Sequence, residues 1–216
     1  MRLEGRGLAR RRAKATRGDA SPPLDYGKFM PKLHVVVVST RPQRVGLPIA
    51  GWFVDRAEKH GKFDVELVDL KEVALPLLDE PKHPRLGQYE HDHTKAWSAR
   101  VRAADAFVFV TPEYNYGAPA PLVNALDFLF FEWAYKAAGF VSYGGASGGT
   151  RAVQMAKSIV STLKMVPIPE AVAIPFATRS LDERGRFTGG EPHESAASAM
   201  LDELARWTGA LEVLRA

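Results

Sequence analysis

The sequence predicts an α/β fold in which a doubly wound, five-stranded parallel sheet carries helices on both faces. Three observations predict it. Short runs rich in Val, Ile and Phe recur, apolar on both faces as buried parallel strands are. Longer segments with a helical pattern separate them, the alternation that builds such a sheet. The 216 residues, 46% hydrophobic and without cysteine, make one ordinary domain that closes its core without disulfides.

The elements follow in order. Leu33–Val38 is a β-branched strand ending at Ser39-Thr40-Arg41-Pro42. Pro48 falls near the first turn of a helix, where its missing N–H costs nothing, and Ile49–His60 continues it to Gly61. Phe63–Leu70 reads as the second strand. Lys71 to His93 is polar, with Pro76, Pro81 and Pro84, and a structureless connection that long predicts a functional lid or flap. Lys95–Ala103 is helical and leads into strand Ala106–Val110. Pro119–Phe131 reads as helix, Phe140–Tyr143 as the fourth strand, Thr150–Lys164 as helix and Ala171–Pro175 as the fifth strand. Phe176–Pro192 is an irregular loop, and Glu194–Leu214 closes the chain as a helix.

Charge separates two regions. The net charge is +4, yet residues 1–29 hold eight of the 29 basic and three of the 25 acidic residues, leaving the remainder at −1. The segment 1–30 therefore reads as a basic, disordered extension, with Met30 as a plausible start for a domain over 31–216. It lacks the apolar run of a secretory signal. Its aromatics, Tyr26 and Phe29, stand at its end, so nucleic acid is not expected as a partner. Nothing approaches the ~18 apolar residues of a membrane helix, and a cytoplasmic protein is expected. The absence of cysteine excludes thiol nucleophiles, Fe–S clusters and cysteine zinc sites. His83, His91 and His93, near Asp92, sit in a polar loop without a His-Glu-x-x-His helix and read as solvated side chains, so no metal is expected.

In open parallel sheets the ligand lies beyond the carboxyl ends of the strands. Three loops there carry chemistry. Ser39-Thr40-Arg41-Pro42-Gln43-Arg44-Val45-Gly46 precedes a helix whose free amides and positive dipole end suit an anion. Ser39 and Thr40 add hydroxyls, Arg41 a charged fork, and Gly46 allows close approach. The loop is neither a Walker sequence nor a Gly-x-Gly-x-x-Gly turn. Thr111-Pro112-Glu113-Tyr114-Asn115-Tyr116-Gly117-Ala118-Pro119 forms a stiff bend able to hold the edge of a flat ligand. Gly144-Gly145-Ala146-Ser147-Gly148-Gly149 lets backbone approach a ligand before another helix.

Gly145, Ser147 and Gly149 also match Gly-x-Ser-x-Gly between a strand and a helix, the nucleophile-elbow pattern. A serine esterase would then need His193 as base and Asp182 or Glu183 as acid, all from one irregular segment.

Taken together, Ser39-Thr40-Arg41…Gly46, Thr111-Pro112-Glu113-Tyr114-Asn115 and Ser142-Tyr143-Gly144-Gly145…Gly148-Gly149-Thr150-Arg151-Ala152 resemble the NADPH-dependent FMN reductase family, which includes chromate, azo-dye and quinone reductases. The resemblance covers 33–214. One departure is Val123, where many members carry lysine before the Asn124-Ala125 pair. The resemblance implies a flavodoxin-like sheet of order 2-1-3-4-5 and tightly bound, non-covalent FMN. It implies NADPH or NADH as co-substrate, with free flavin, quinones or similar small molecules as acceptors. It places Ser39, Thr40, Arg41, Val45 and Gly46 at the phosphate, Pro112, Glu113, Tyr114 and Asn115 along the isoalloxazine ring and its N5 edge, and Ser142, Tyr143, Gly144 and Gly145 at the pyrimidine end. Hydride passes directly from nicotinamide to N5, so no protein residue is expected as catalytic acid or base. A homodimer or homotetramer is implied, for which the apolar stretch Leu122–Trp133 would suit the interface. Arg41, Arg44, Lys82 and Arg85 are the basic residues that would favour NADPH. A flavodoxin-like electron carrier is the non-enzymatic alternative, disfavoured by the nearly neutral core with Arg41 and Arg44 at the loop.

Overall fold

The computed structural model describes residues 30–215. The expected disorder of 1–29 lies outside the described residues. Five parallel strands form one sheet in the order β2-β1-β3-β4-β5, the flavodoxin-like arrangement. They are β1 Lys32–Val37, β2 Asp64–Asp69, β3 Ala106–Pro112, β4 Ala137–Gly144 and β5 Val166–Pro175. The helices are α1 Gly46–His60, α2 Leu70–Val73, α3 Asp92–Ala103, α4 Ala120–Asp127, α5 Thr150–Thr162 and α6 Glu191–Glu212.

Period-two alternation divides each strand between two cores. Val35 and Val37 join α1 and α6 residues such as Phe53 and Leu204 on one face. Val36 and Val38 join Trp97 of α3, Leu126 of α4 and Val160 of α5 on the other. Both cores are fully closed, with Phe53, Phe107, Phe109, Phe140 and Trp133 among the largest buried side chains. No helix among the described residues is long and apolar enough to cross a membrane.

Five expectations change. The connection after β2 is not structureless. α2 starts it, a 3-10 turn spans Pro84–Leu86, and α3 begins at Asp92. Side chains pin it down: Asn124 accepts from Leu78 N at 3.0 Å and donates to Pro76 O at 2.7 Å, while the Glu80 carboxylate accepts from the amides of Glu90 and His91. A loose flap is therefore corrected to a tethered connection.

The fourth strand begins at Ala137 rather than Phe140, because Ala137, Ala138 and Gly139 carry no β signal of their own and are held by β3. The fifth begins at Val166 rather than Ala171. Pro167 and Pro169 hid it, yet β5 is an edge strand, where proline is tolerated. The helix starting near Pro119 ends at Asp127 instead of Phe131, and a 3-10 turn follows at Phe131–Trp133. Leu122, Leu126, Phe128, Leu129 and Trp133 are buried within the chain's own core. The stretch Leu122–Trp133 therefore cannot present these side chains to a second subunit.

Candidate functional site

Strand register brings the three loops together. Val37 pairs with Val110, and Pro112 with Tyr143, so the chain ends of β1, β3 and β4 stand side by side. They flank the point where the strand order reverses, the crevice that binds ligands in this architecture.

The loop after β1 leaves its amides open. Thr40, Arg41, Gln43, Arg44 and Val45 donate to no backbone carbonyl among the described residues. They precede α1, a 15-residue helix without a side-chain cap, so unbonded N–H groups adjoin the positive end of its dipole. Thr40 and Arg41 are exposed, Val45 is half-buried, and Gly46 is buried. Above Gly46 lies the Tyr143 hydroxyl: a Cβ added at residue 46 would come within 2.5 Å of it. That hydroxyl is buried and has no hydrogen-bond partner, and burial raises its pKa. A buried hydroxyl without a partner is costly, and the unbonded amides of the neighbouring loop suit an anion at the start of α1.

Arg44 and Asp69 form a buried ion pair that ties this loop to the end of β2. Asp69 also caps α2 by accepting from Lys71 N at 3.0 Å. The Ser39 hydroxyl is 2.9 Å from the Tyr114 hydroxyl, linking the first loop to the second, and Arg41 lies over the Tyr114 ring.

The loop after β3 is a tight hairpin. Tyr114 and Gly117 exchange backbone bonds of 3.2 and 2.9 Å, and Asn115 and Tyr116 between them have φ of 50° and 67°. Two positive φ values in a two-residue turn are the type I′ pattern. Pro112 is buried at the end of β3, while Asn115 faces solvent.

Glu113 clasps this hairpin to the loop after β4. It accepts from Ser147 Oγ at 3.1 Å, from Arg151 N at 3.0 Å and from Arg151 Nε at 2.7 Å. The hydrogen bond from Arg151, with support from Ser147, holds its carboxyl below the ordinary range.

The glycine loop divides its labour. A Cβ on Gly149 (φ 84°) would sit 2.8 Å from Tyr143 N, and one on Gly148 (φ 59°) would sit 3.2 Å from Ile174 N. These two glycines let the loop pack on its own strands. Gly144 is also close-packed, since a Cβ there would sit 3.3 Å from Gly149 N, whereas Gly145 is exposed with nothing within 4 Å of a Cβ. The Ser142 hydroxyl is spent inside the loop, donating to Gly148 O at 2.8 Å.

The esterase arrangement does not form. Ser147 donates to Glu113, His193 accepts from Gly190 N through Nδ1, and Asp182 accepts from the amides of Arg184 and Arg186. Ser147, His193 and Asp182 are thus each committed to other partners.

Two roles escaped sequence reasoning. Arg151 lies in the first turn of α5, where a cation opposes the dipole; that placement was the signal for an acidic partner. The pairing of Arg44 with Asp69 had no local signal. Of the basic residues expected to favour NADPH, Arg44 holds Asp69, Lys82 holds Glu90 and Arg85 lies over the Phe130 ring.

Residues 31–179 match the family model described as NADPH-dependent FMN reductase. An NAD(P)H-dependent FMN reductase of Schizosaccharomyces pombe is 44% identical over 149 residues, covering 68% of this chain and 74% of that protein. One of Saccharomyces cerevisiae is 37% identical over 164 residues, covering 70% and 85%. Among solved structures, the flavoenzyme NAD(P)H:(acceptor) oxidoreductase FerB of Paracoccus denitrificans superposes with a TM-score of 0.66 at 21% identity, covering 83% of this chain and 98% of that one. This last likeness concerns the fold.

Proposed function

The chain belongs to the NADPH-dependent FMN reductase family, and from that premise we propose that it holds FMN tightly in the crevice between the loops after β1, β3 and β4. As a member it is an NAD(P)H-dependent FMN oxidoreductase. One observation carries the binding reading: the unpartnered Tyr143 hydroxyl sits over Gly46, beside a row of free amides. These groups, with Thr40 and Arg41, would hold the phosphate at the N-terminus of α1. The Ser39–Tyr114 bond and the Arg44–Asp69 pair keep the phosphate loop in register. Pro112 to Asn115 would run along the ring. Gly145, with open space above it, would take the pyrimidine edge together with backbone groups of Ser142 to Gly144. Bound FMN would supply the redox chemistry, taking hydride from NADPH or NADH at N5 and reducing free flavin, quinone or a similar small acceptor. The chain's own contribution is binding and orientation, and no side chain is needed as acid or base.

Purified protein is expected to be yellow, and NADPH should bleach it anaerobically. A protein that stays colourless with added FMN overturns the reading. Bleaching by a partner reductase but not by a nicotinamide would instead support a carrier. Tyr143→Phe removes one oxygen and is expected to weaken FMN by about 1.5–3 kcal/mol, the scale of a hydrogen bond to a charged group. Riboflavin, which lacks the phosphate, should bind both proteins equally; parallel losses for the two ligands would remove Tyr143 from the phosphate site.

A cytoplasmic location and a homodimer or homotetramer complete the reading. Leu77, Leu86 and Phe131, at 81%, 59% and 58% exposure, are large apolar side chains that assembly would cover. Sedimentation of Leu77→Glu against wild type tests it, with dissociation expected.

A further inference from the structure

Tyr116 stands at the tip of the β3 hairpin, 71% exposed. Its φ of 67° lies in the left-handed region, where a bulky residue is strained and glycine is at ease. A type I′ turn favours Asn-Gly, and this chain has Asn115-Tyr116. Strain plus exposure of a large ring costs stability twice, which directs attention to what the ring does.

The ring is also held still. The Arg151 guanidinium carbon lies 3.7 Å from its centroid, and Arg151 is itself fixed by bonds to Glu113 from its backbone and side chain. Beneath the hairpin, the Met155 sulfur accepts from Ala118 N at 3.3 Å, and a Cβ on Gly117 would meet the same sulfur at 3.3 Å. One face of Tyr116 is therefore backed by a cation and the hairpin is packed from below.

We propose that Tyr116 and Arg151 form a stacking platform for the adenine end of NAD(P)H, at the rim of the flavin site. The inference rests on the FMN reading above. The nicotinamide must reach the ring lined by Pro112 to Asn115, and a dinucleotide carries a second flat base beyond its two phosphates. Tyr116 lies one residue past that lining. An aromatic face accepts any base, and adjacent arginine adds cation–π attraction and complements phosphate charge. Arg151 is 47% exposed at its side chain, so it presents charge to the rim while remaining bonded to Glu113.

The test uses FMN-loaded protein and 2′-phospho-ADP-ribose, which lacks nicotinamide and cannot be oxidised. Tyr116→Gly removes the ring while relaxing the turn, and Tyr116→Phe keeps the ring. Calorimetry is expected to show about tenfold weaker binding for the glycine variant and wild-type binding for the phenylalanine variant. The KM for NADPH should rise in parallel, while the KM for reduced nicotinamide mononucleotide, which has no adenine, stays unchanged. Unaltered affinity in Tyr116→Gly overturns the platform. So does an equal rise in KM for both reductants, or a change confined to sedimentation, which would make Tyr116 a contact between copies. Unchanged FMN content and spectrum in the variants report an intact hairpin. A wild-type protein without FMN would instead be a failure of the cofactor reading.

Discussion

Arg44→Met is expected to destabilise the protein by about 3–5 kcal/mol, the scale for removing one partner of a buried ion pair. The side chains of Arg44 and Asp69 are 10% and 5% exposed, so Asp69 would be left charged with little access to water. Asp69 cannot simply turn outward, because its other oxygen caps α2 at Lys71 N. Urea unfolding at neutral pH measures the loss. The pair also joins the phosphate loop to β2, so FMN affinity should fall with stability. Arg44→Met combined with Asp69→Asn keeps the cap geometry, removes the charge and should recover much of the loss. A single variant within about 1 kcal/mol of wild type would show that water already reaches the pair.

The second large effect is a loss of stability in mild acid through His34. This imidazole on β1 is 1% exposed, 5.8 Å from the Phe107 ring and 3.3 Å from the Glu66 carboxylate. Burial lowers its pKa from 6.5 to about 4; Glu66 pulls the other way, and Arg100, Lys32 and Lys136 add to the depression. The folded pKa lies below the unfolded one, so below pH 6.5 the unfolded chain binds a proton that the folded chain refuses. Stability therefore falls as pH drops from about 6.5 to about 4, by up to about 3 kcal/mol. Glu66 extends the loss. Burial would raise its pKa, but the hydrogen bond from Arg100 and the charges of Arg100 and Lys32 bring it below the ordinary value, and its contribution disappears as pH falls below 4.5. His34→Leu is expected to flatten the profile between pH 6.5 and 4.5 while leaving the steeper fall beneath it. An identical pH profile in the variant would place the acid sensitivity elsewhere.

Much of the fold was legible because its signals are local. Leu33–Val38 and Ala106–Val110 are apolar on both faces, as buried parallel strands must be, and Gly61 ends α1 in the left-handed conformation expected of a helix stop. The misreadings have local causes too. Ala137-Ala138-Gly139 is strand because its neighbours pair with it, and Pro167 and Pro169 are admitted because β5 is an edge. The tether from Asn124 to Pro76 and Leu78 joins residues more than 40 positions apart, which no local pattern announces.

The same division holds at the site. Where the three loops fall is a local matter, because glycine, proline and the ends of apolar runs mark strand termini without help from the rest of the chain. Tertiary structure alone decided what each side chain in them is free to do. Ser39 meets Tyr114 across 75 residues, Glu113 meets Arg151 across 38, and Arg44 meets Asp69 across 25. Those distances close only when parallel strands reach their register and the loops pack. That packing engages three serine hydroxyls, Ser39, Ser142 and Ser147, within the protein, and leaves the buried hydroxyl of Tyr143 over Gly46 without a partner.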